Sequence, residues 1–428
     1  MSFFFAYCLV LLKSFRSLLA VLGSGLLYAG AAVGVSHLVQ STRAGGEYGW
    51  ALLWAVLAAN VCKYPFFEFA PRYAIATGKS LQEGYLLLGK WAFAIFLLIT
   101  IGTMFTIQAA VTLVNAGLLG IMLGDGVRVD VYAFAIMLVC AFLLLAGGYI
   151  VLERTIKWVV VILTLTTAIA VVTAALKFDP SQITVIRNFD WHSKTDIAFL
   201  IALMGWMPAP IDLSVWYSVW TLEEKKHNPQ LDVASSRLDF HVGYWGTTVL
   251  AVMFLALGAL SMYGRGESTP IQSIPFADRL ISLYTANIGG WSYPIIALAG
   301  FTTMFSTSLT VLDGYARTVI NGAEMLIPAI ARHEKRWYAL AVMVTVLGAQ
   351  GILSFASGNM RALVEFATII SFVTAPILAG LNYWVMTRDP VPLEYRPSLW
   401  EKGMCLIGGL FLLVFTLFYL VQHFGVLG

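Results

Sequence analysis

Trp206-Met207-Pro208-Ala209-Pro210-Ile211-Asp212 lies in the middle of an apolar segment that runs from about Ile197 to Trp220. Pro208 and Pro210 lack an amide hydrogen, and their rings clash with the preceding helical turn, so no unbroken helix passes through them. In a bilayer such a break is tolerated only where it is buried in protein or lines a cavity. A second apolar segment, from about Leu18 to Ser41, has a softer weak point at Gly34-Val35-Ser36-His37. There a glycine, a β-branched residue and two polar side chains follow one another. Two interrupted helices in corresponding halves of a chain point to a solute site near the midplane.

Composition sets the class. Of 428 residues, 59% are hydrophobic and 11% charged, against about 25% charged in a soluble domain. The expectation is an integral membrane protein whose partners are the lipid bilayer and a small solute or metal ion. A formal charge of +3 gives no basic patch for nucleic acid. Cys8, Cys62, Cys140 and Cys405 have no paired spacing, which points away from disulfides and zinc. No cofactor-binding pattern, nucleophile–base constellation or phosphate-binding glycine loop occurs, so an enzyme is not expected. Met1 to Leu12 lacks the basic start and cleavage site of a signal peptide and reads as an interfacial extension or an over-long start.

Apolar runs predict eleven spans, near 17–42, 48–71, 91–119, 131–150, 156–176, 196–220, 240–262, 289–316, 337–356, 362–386 and 403–424. A cytoplasmic N-terminus places most loop Lys and Arg inside, among them Arg72, Lys225, Arg237, Arg336 and Arg388. Breaks in the first and sixth spans suit two five-helix repeats, 17–176 and 196–386, behind a segment 1–16 and before an eleventh helix in 387–428. Because five is odd, the second repeat is inserted upside down relative to the first.

Several stretches carry a family resemblance. Ala44-Gly45-Gly46-Glu47-Tyr48-Gly49, Leu52-Leu53-Trp54 with Asn60, and Ile75-Ala76-Thr77-Gly78 resemble the Nramp divalent-metal transporters. So do Gly147-Gly148-Tyr149 and Leu152-Glu153-Arg154-Thr155-Ile156-Lys157, and Met207-Pro208 falls where that family has Met-Pro-His. The resemblance implies an all-α, LeuT-like (APC-type) fold and import of manganese or iron with protons. The family's Asp-Pro-Gly-Asn falls on Gly34-Val35-Ser36-His37, its histidine after Pro208 is Ala209, and a second histidine falls near Ser214. Residues 91–119 contain no Asp or Glu, where the family carries acidic residues for proton movement.

The expected site comprises Gly34, Ser36, His37, Met207, Ala209 and Asp212. His37 and Met207 are the candidate metal ligands, an imidazole and a soft thioether. His37 alternatively satisfies carbonyls of the break, and Met207 alternatively packs. Asp212 reads first as a helix cap, and otherwise as a carboxylate serving a cation. Lys63, Glu68, Asp313 and Glu365 are candidate coupling or charge residues. Lys63 either snorkels to the interface, pairs with a carboxylate of another helix, or acts as a built-in cation. A helical offset of five keeps Lys63 and Glu68 on different faces. Asp313 and Arg317 form an i,i+4 pair, and Glu365 faces the outer vestibule or water. Ser306, Thr307 and Ser308 offer hydroxyls to an ion or join helices. Trp206, Trp216, Tyr217 and Trp220 are packing or a box for an organic cation.

Three functions remain in view. The first is a secondary transporter of a divalent metal cation, and the second a transporter of a small organic or anionic solute on the same fold. The third is a non-transporting membrane sensor, like the Nramp-like domain of plant ethylene signalling. It ranks last because no soluble signalling tail is seen. The expected location is a bacterial inner membrane.

Overall fold

The computed structural model describes residues 23–124, 126–147, 149–266 and 269–425, and their regular elements are all helical. Cys8, Gly148 and the expected interfacial segment before residue 17 lie outside the described residues. The first span is broken into α1 (Ser24–Ala32), a π-helical stretch (Ser36–Ser41) and α2 (Thr42–Tyr48). The sixth is broken into α8 (Lys194–Gly205) and α9 (Leu213–His227). Unbroken helices make the other spans. They are α3 (Leu53–Thr77), α5 (Lys90–Leu123), α6 (Val129–Leu145) and α7 (Tyr149–Leu176) in the first half. The rest are α10 (Val233–Ser261), α12 (Tyr293–Leu326), α13 (Glu334–Ala356), α14 (Met360–Met386) and α15 (Leu399–Phe424).

The eleven expected spans are present, with shifted ends. The first runs on to Tyr48 and the second runs from Leu53 to Thr77 rather than 48–71, because left-handed glycines at Gly49 and Gly78 set the turns. The seventh begins at Val233, not 240, since Asp232 accepts from the Ser235 amide and caps it. Its first turns carry Arg237 and Asp239, which polarity alone excludes. Two further helices lie between spans, unmarked by hydropathy: α4 (Leu81–Leu88), with a Ser80/Glu83 capping box, and α11 (Ser273–Ile288).

Packing repeats across the two halves. The second helix of each half, α3 or α10, lies along the broken span of the other half. The fifth, α7 or α14, lies on the first piece of its own broken span, and the third helices α5 and α12 pair at the centre. This is the inverted five-plus-five arrangement. Glycine makes the closest approaches possible: a Cβ on Gly258 would stand 2.1 Å from the Thr42 carbonyl oxygen, and one on Gly205 2.0 Å from that of Thr368. Without a hydrophobic driving force between helices in lipid, such backbone proximity is a main source of their attraction. The bundle's outer surface carries exposed Phe142, Leu165, Val172 and Ile407, as a lipid-facing surface requires.

Candidate functional site between the broken helices

The two breaks meet. Ser36 Oγ lies 3.5 Å from the Pro208 carbonyl oxygen, and a cavity of about 30 Å³ separates the first, third, sixth and eighth spans. That volume holds one or two waters or a small ion. Ala32, Ser36, Val111, Trp206, Ala209 and Thr307 are on its wall, with Pro210 and Trp216. Of the expected site residues, Ser36 and Ala209 therefore face the cavity, whereas Gly34, His37, Met207 and Asp212 are buried around it. Trp206 and Trp216 line it as well, while Trp220 stacks edge-on against Trp216 and Tyr217 against Tyr28.

Hydroxyl groups stitch the first break. Thr307 Oγ1 stands 3.1 Å from the carbonyls of Gly30, Val33 and Thr303, so it serves orphan carbonyls of α1 and its end. Gly34 packs on the same side chain, where a Cβ would come within 2.9 Å of Thr307 Cγ2. Ser306 Oγ has no partner, and Ser308 bonds back to the Met304 carbonyl.

His37 turns away from the cavity toward α10. Its Nε2 stands 3.0 Å from the Thr247 carbonyl, and its Nδ1 2.7 Å from Ser36 Oγ. A carbonyl only accepts, so Nε2 carries the proton and Nδ1 faces the hydroxyl. Both ring nitrogens are thereby engaged. Met207 is fully buried and off the cavity wall.

Two charged residues meet at the second break. Lys63 does not snorkel: it is wholly buried, and Nζ donates to the carbonyls of Met204 (2.7 Å), Gly205 (2.7 Å) and Ala209 (3.2 Å). These carbonyls lose helical partners because residues 206–212 leave the helix and two of them are prolines. Asp212 sits at the N-cap position of α9 but makes no side-chain cap bond, correcting the expected capping role. Its backbone there is helical, not the extended conformation from which caps reach back. Instead Tyr315 donates to Oδ2 at 3.1 Å and Oδ1 has no partner. Lys63 and Asp212 thus both sit at the sixth-span break. The sequence marked each residue singly, and only the fold joins them.

Ion pairs close both ends of the bundle. At one end Arg43 bonds Glu47 (2.8 Å) and Glu365 (2.5 Å), Arg361 bonds Glu365 (3.3 Å), and Arg187 bonds Asp196 (2.7 Å). Glu365 thus belongs to a network and not to open water. Partial desolvation opposes the charge of Arg187, but Tyr48, Asp196 and Glu47 around it raise its pKa above the ordinary arginine value. At the opposite end Glu68, buried, contacts Arg72 and Arg237 (2.6 Å), and Arg72 also holds Glu401 at 2.6 Å. There α9 and α10 grip the start of α1, through Glu224 to the Ser24 amide (2.7 Å) and Asp239 to that of Gly25 (2.6 Å). Asp313 makes the expected pair with Arg317 at 2.8 Å and accepts from Tyr338 at 2.6 Å. Among the described residues no group of three or more His, Cys, Asp or Glu side chains forms a metal cluster.

The family profile described as natural resistance-associated macrophage protein-like (Nramp) matches residues 25–422. The chain belongs to the Nramp family. As a member it is a secondary transporter. An uncharacterized protein of Pasteurella multocida is 35% identical over 420 residues, 96% of this chain and 94% of that protein. The divalent metal cation transporter MntH of Bacillus subtilis matches more locally, 33% identical over 72 residues and 17% of each chain. Among solved structures, a variant of the Eremococcus coleocola manganese transporter superposes with a TM-score of 0.67 at 15% identity, covering 96% of this chain and 89% of that one. MhsT in complex with L-phenylalanine gives a TM-score of 0.63 at 14% identity, over 93% and 98%. At these identities the structural likeness speaks for the LeuT-type fold of this Nramp chain.

Proposed function

We propose that this Nramp chain carries a metal cation through the cavity between its broken helices, opening it alternately to either side. The carrying observation is the enclosed contact of Ser36 with Pro208, flanked by an ion-pair network toward each end of the bundle. Family membership and the local match to MntH support a divalent cation as the solute. The cavity offers it hydroxyls of Ser36 and Thr307, and the unpartnered Asp212 Oδ1 provides an oxygen at the adjoining break. The loop bias of Lys and Arg supports the Arg72 end as cytoplasmic and the Arg43 end as external, in a bacterial inner membrane.

One observation favours a second reading. The wall is largely apolar and aromatic, with Trp206, Trp216, Val111 and no carboxylate. It offers few oxygens to an ion that must shed water and matches the lining of a small organic solute's site once the cavity widens. Proteoliposomes loaded with a metal-sensitive dye separate the two. Uptake of manganese, iron, cobalt, zinc or copper supports the first reading. Absence of uptake for all of them, with thermal stabilisation by an organic solute, replaces it with the second.

A further inference from the structure

We infer that the Lys63 ammonium is the tethered occupant of a monovalent-cation site built into the break of the sixth span. Three carbonyls, of Met204, Gly205 and Ala209, converge on one nitrogen at 2.7, 2.7 and 3.2 Å. An ammonium has three N–H donors and no acceptor, so this set uses all of them. Met204 and Gly205 close α8, where the negative end of the helix dipole adds to the carbonyls. Asp212 stands at the same break, at the start of α9. Converging carbonyls of unwound membrane helices are the means by which proteins dehydrate alkali-metal ions. Here a side chain from α3 takes that place, fully shielded from solvent.

The site adjoins the solute cavity through Ala209, which lies on the cavity wall, whereas Lys63 does not. Its consequence is that the sixth-span break is held by a resident charge and requires no free alkali-metal ion. Removing the side chain vacates a cage that a free ammonium or potassium ion of similar size fills.

The test uses the full-length protein in detergent at constant ionic strength, in chloride salts of potassium, sodium, ammonium or tetramethylammonium. Folded yield and melting temperature are read for wild type, Lys63→Ala and Lys63→Met. Wild type melts alike in all four salts. Lys63→Ala melts lower and recovers by several degrees in ammonium or potassium but not in tetramethylammonium, which has no N–H and is too large. Lys63→Met, whose stem fills the space without charge, stays low in every salt. A Lys63→Ala variant that is folded in none of these salts, or equally in all, overturns the inference, as does equal rescue of Lys63→Met. The readout needs no knowledge of the transported solute, so its outcome is independent of the flux experiment.

Discussion

Arg43 Nη1 donates to Glu365 Oε1 at 2.5 Å, tying the second piece of the broken first span to the start of α14. Arg43 is almost wholly buried and retains Glu47 if Glu365 is lost. Glu365→Gln therefore weakens the closure without emptying it, by roughly 1 kcal/mol, or about five-fold in the open population. A cysteine introduced at Ala209, on the cavity wall, reports this. An impermeant thiol reagent added from the Arg43 side labels it several-fold faster in the Glu365→Gln background. An unchanged rate would remove this network as a gate.

At the opposite end Glu68 lies between Arg72 and Arg237 with 1% of its side chain exposed. Glu68→Gln leaves two guanidiniums sharing Glu401, and breaking such a buried pair costs about 3–5 kcal/mol. The double variant Glu68→Gln/Arg72→Gln relieves part of that repulsion, so its melting temperature falls by less than the two single losses added together. Strict additivity in the thermal melts would show that the residues do not act as a unit.

The sequence made the breaks legible because proline and glycine act on the backbone locally, wherever the chain goes. Pro208 and Pro210, two within one turn behind Gly205, break the helix over residues 206–212, whereas α3 carries the more widely spaced Pro65 and Pro71, and α14 carries Pro376, without a break. Span ends were less legible, since α10 continues through Arg237 and Asp239, charges that hydropathy excludes and distant partners satisfy. The site suffered most for the same reason. His37 and Thr247 are 210 residues apart, and Lys63 and Met204 are separated by 141. Nothing in a local pattern distinguishes a lysine that snorkels from one that donates to a broken helix.

Gly205 tests how tightly α8 and α14 are pressed together. A Cβ there would stand 2.0 Å from the Thr368 carbonyl oxygen, a backbone atom that moves only with its helix. Overpacking costs about 1–3 kcal/mol and occasionally more, and Gly205→Ala is expected at or above the top of that range. Gly102 in α5 and Gly246 in α10 have nothing within 4 Å of the point where a methyl would stand. There alanine gains up to about 1 kcal/mol of helix propensity. Side-by-side thermal melts should put Gly205→Ala far below wild type and the other two at or above it; similar effects at all three sites would contradict the packing argument.

His37 offers the sharpest division between support and ligation. With Nε2 on the Thr247 carbonyl at 3.0 Å and Nδ1 beside Ser36 Oγ at 2.7 Å, the ring joins the first span to α10. His37→Ala takes the imidazole donor from the buried Thr247 carbonyl, whereas Ser36 Oγ keeps the Ala32 carbonyl at 2.9 Å. A lost buried hydrogen bond of this kind costs about 1–3 kcal/mol. The expected result is a lower melting temperature with the order of preference among competing divalent ions unchanged in flux assays. A ligand would behave in the opposite way, because removing it alters which ions are preferred while the fold holds. A changed ion order at constant melting temperature would restore His37 as a metal ligand, with its ring rotated away from the Thr247 carbonyl.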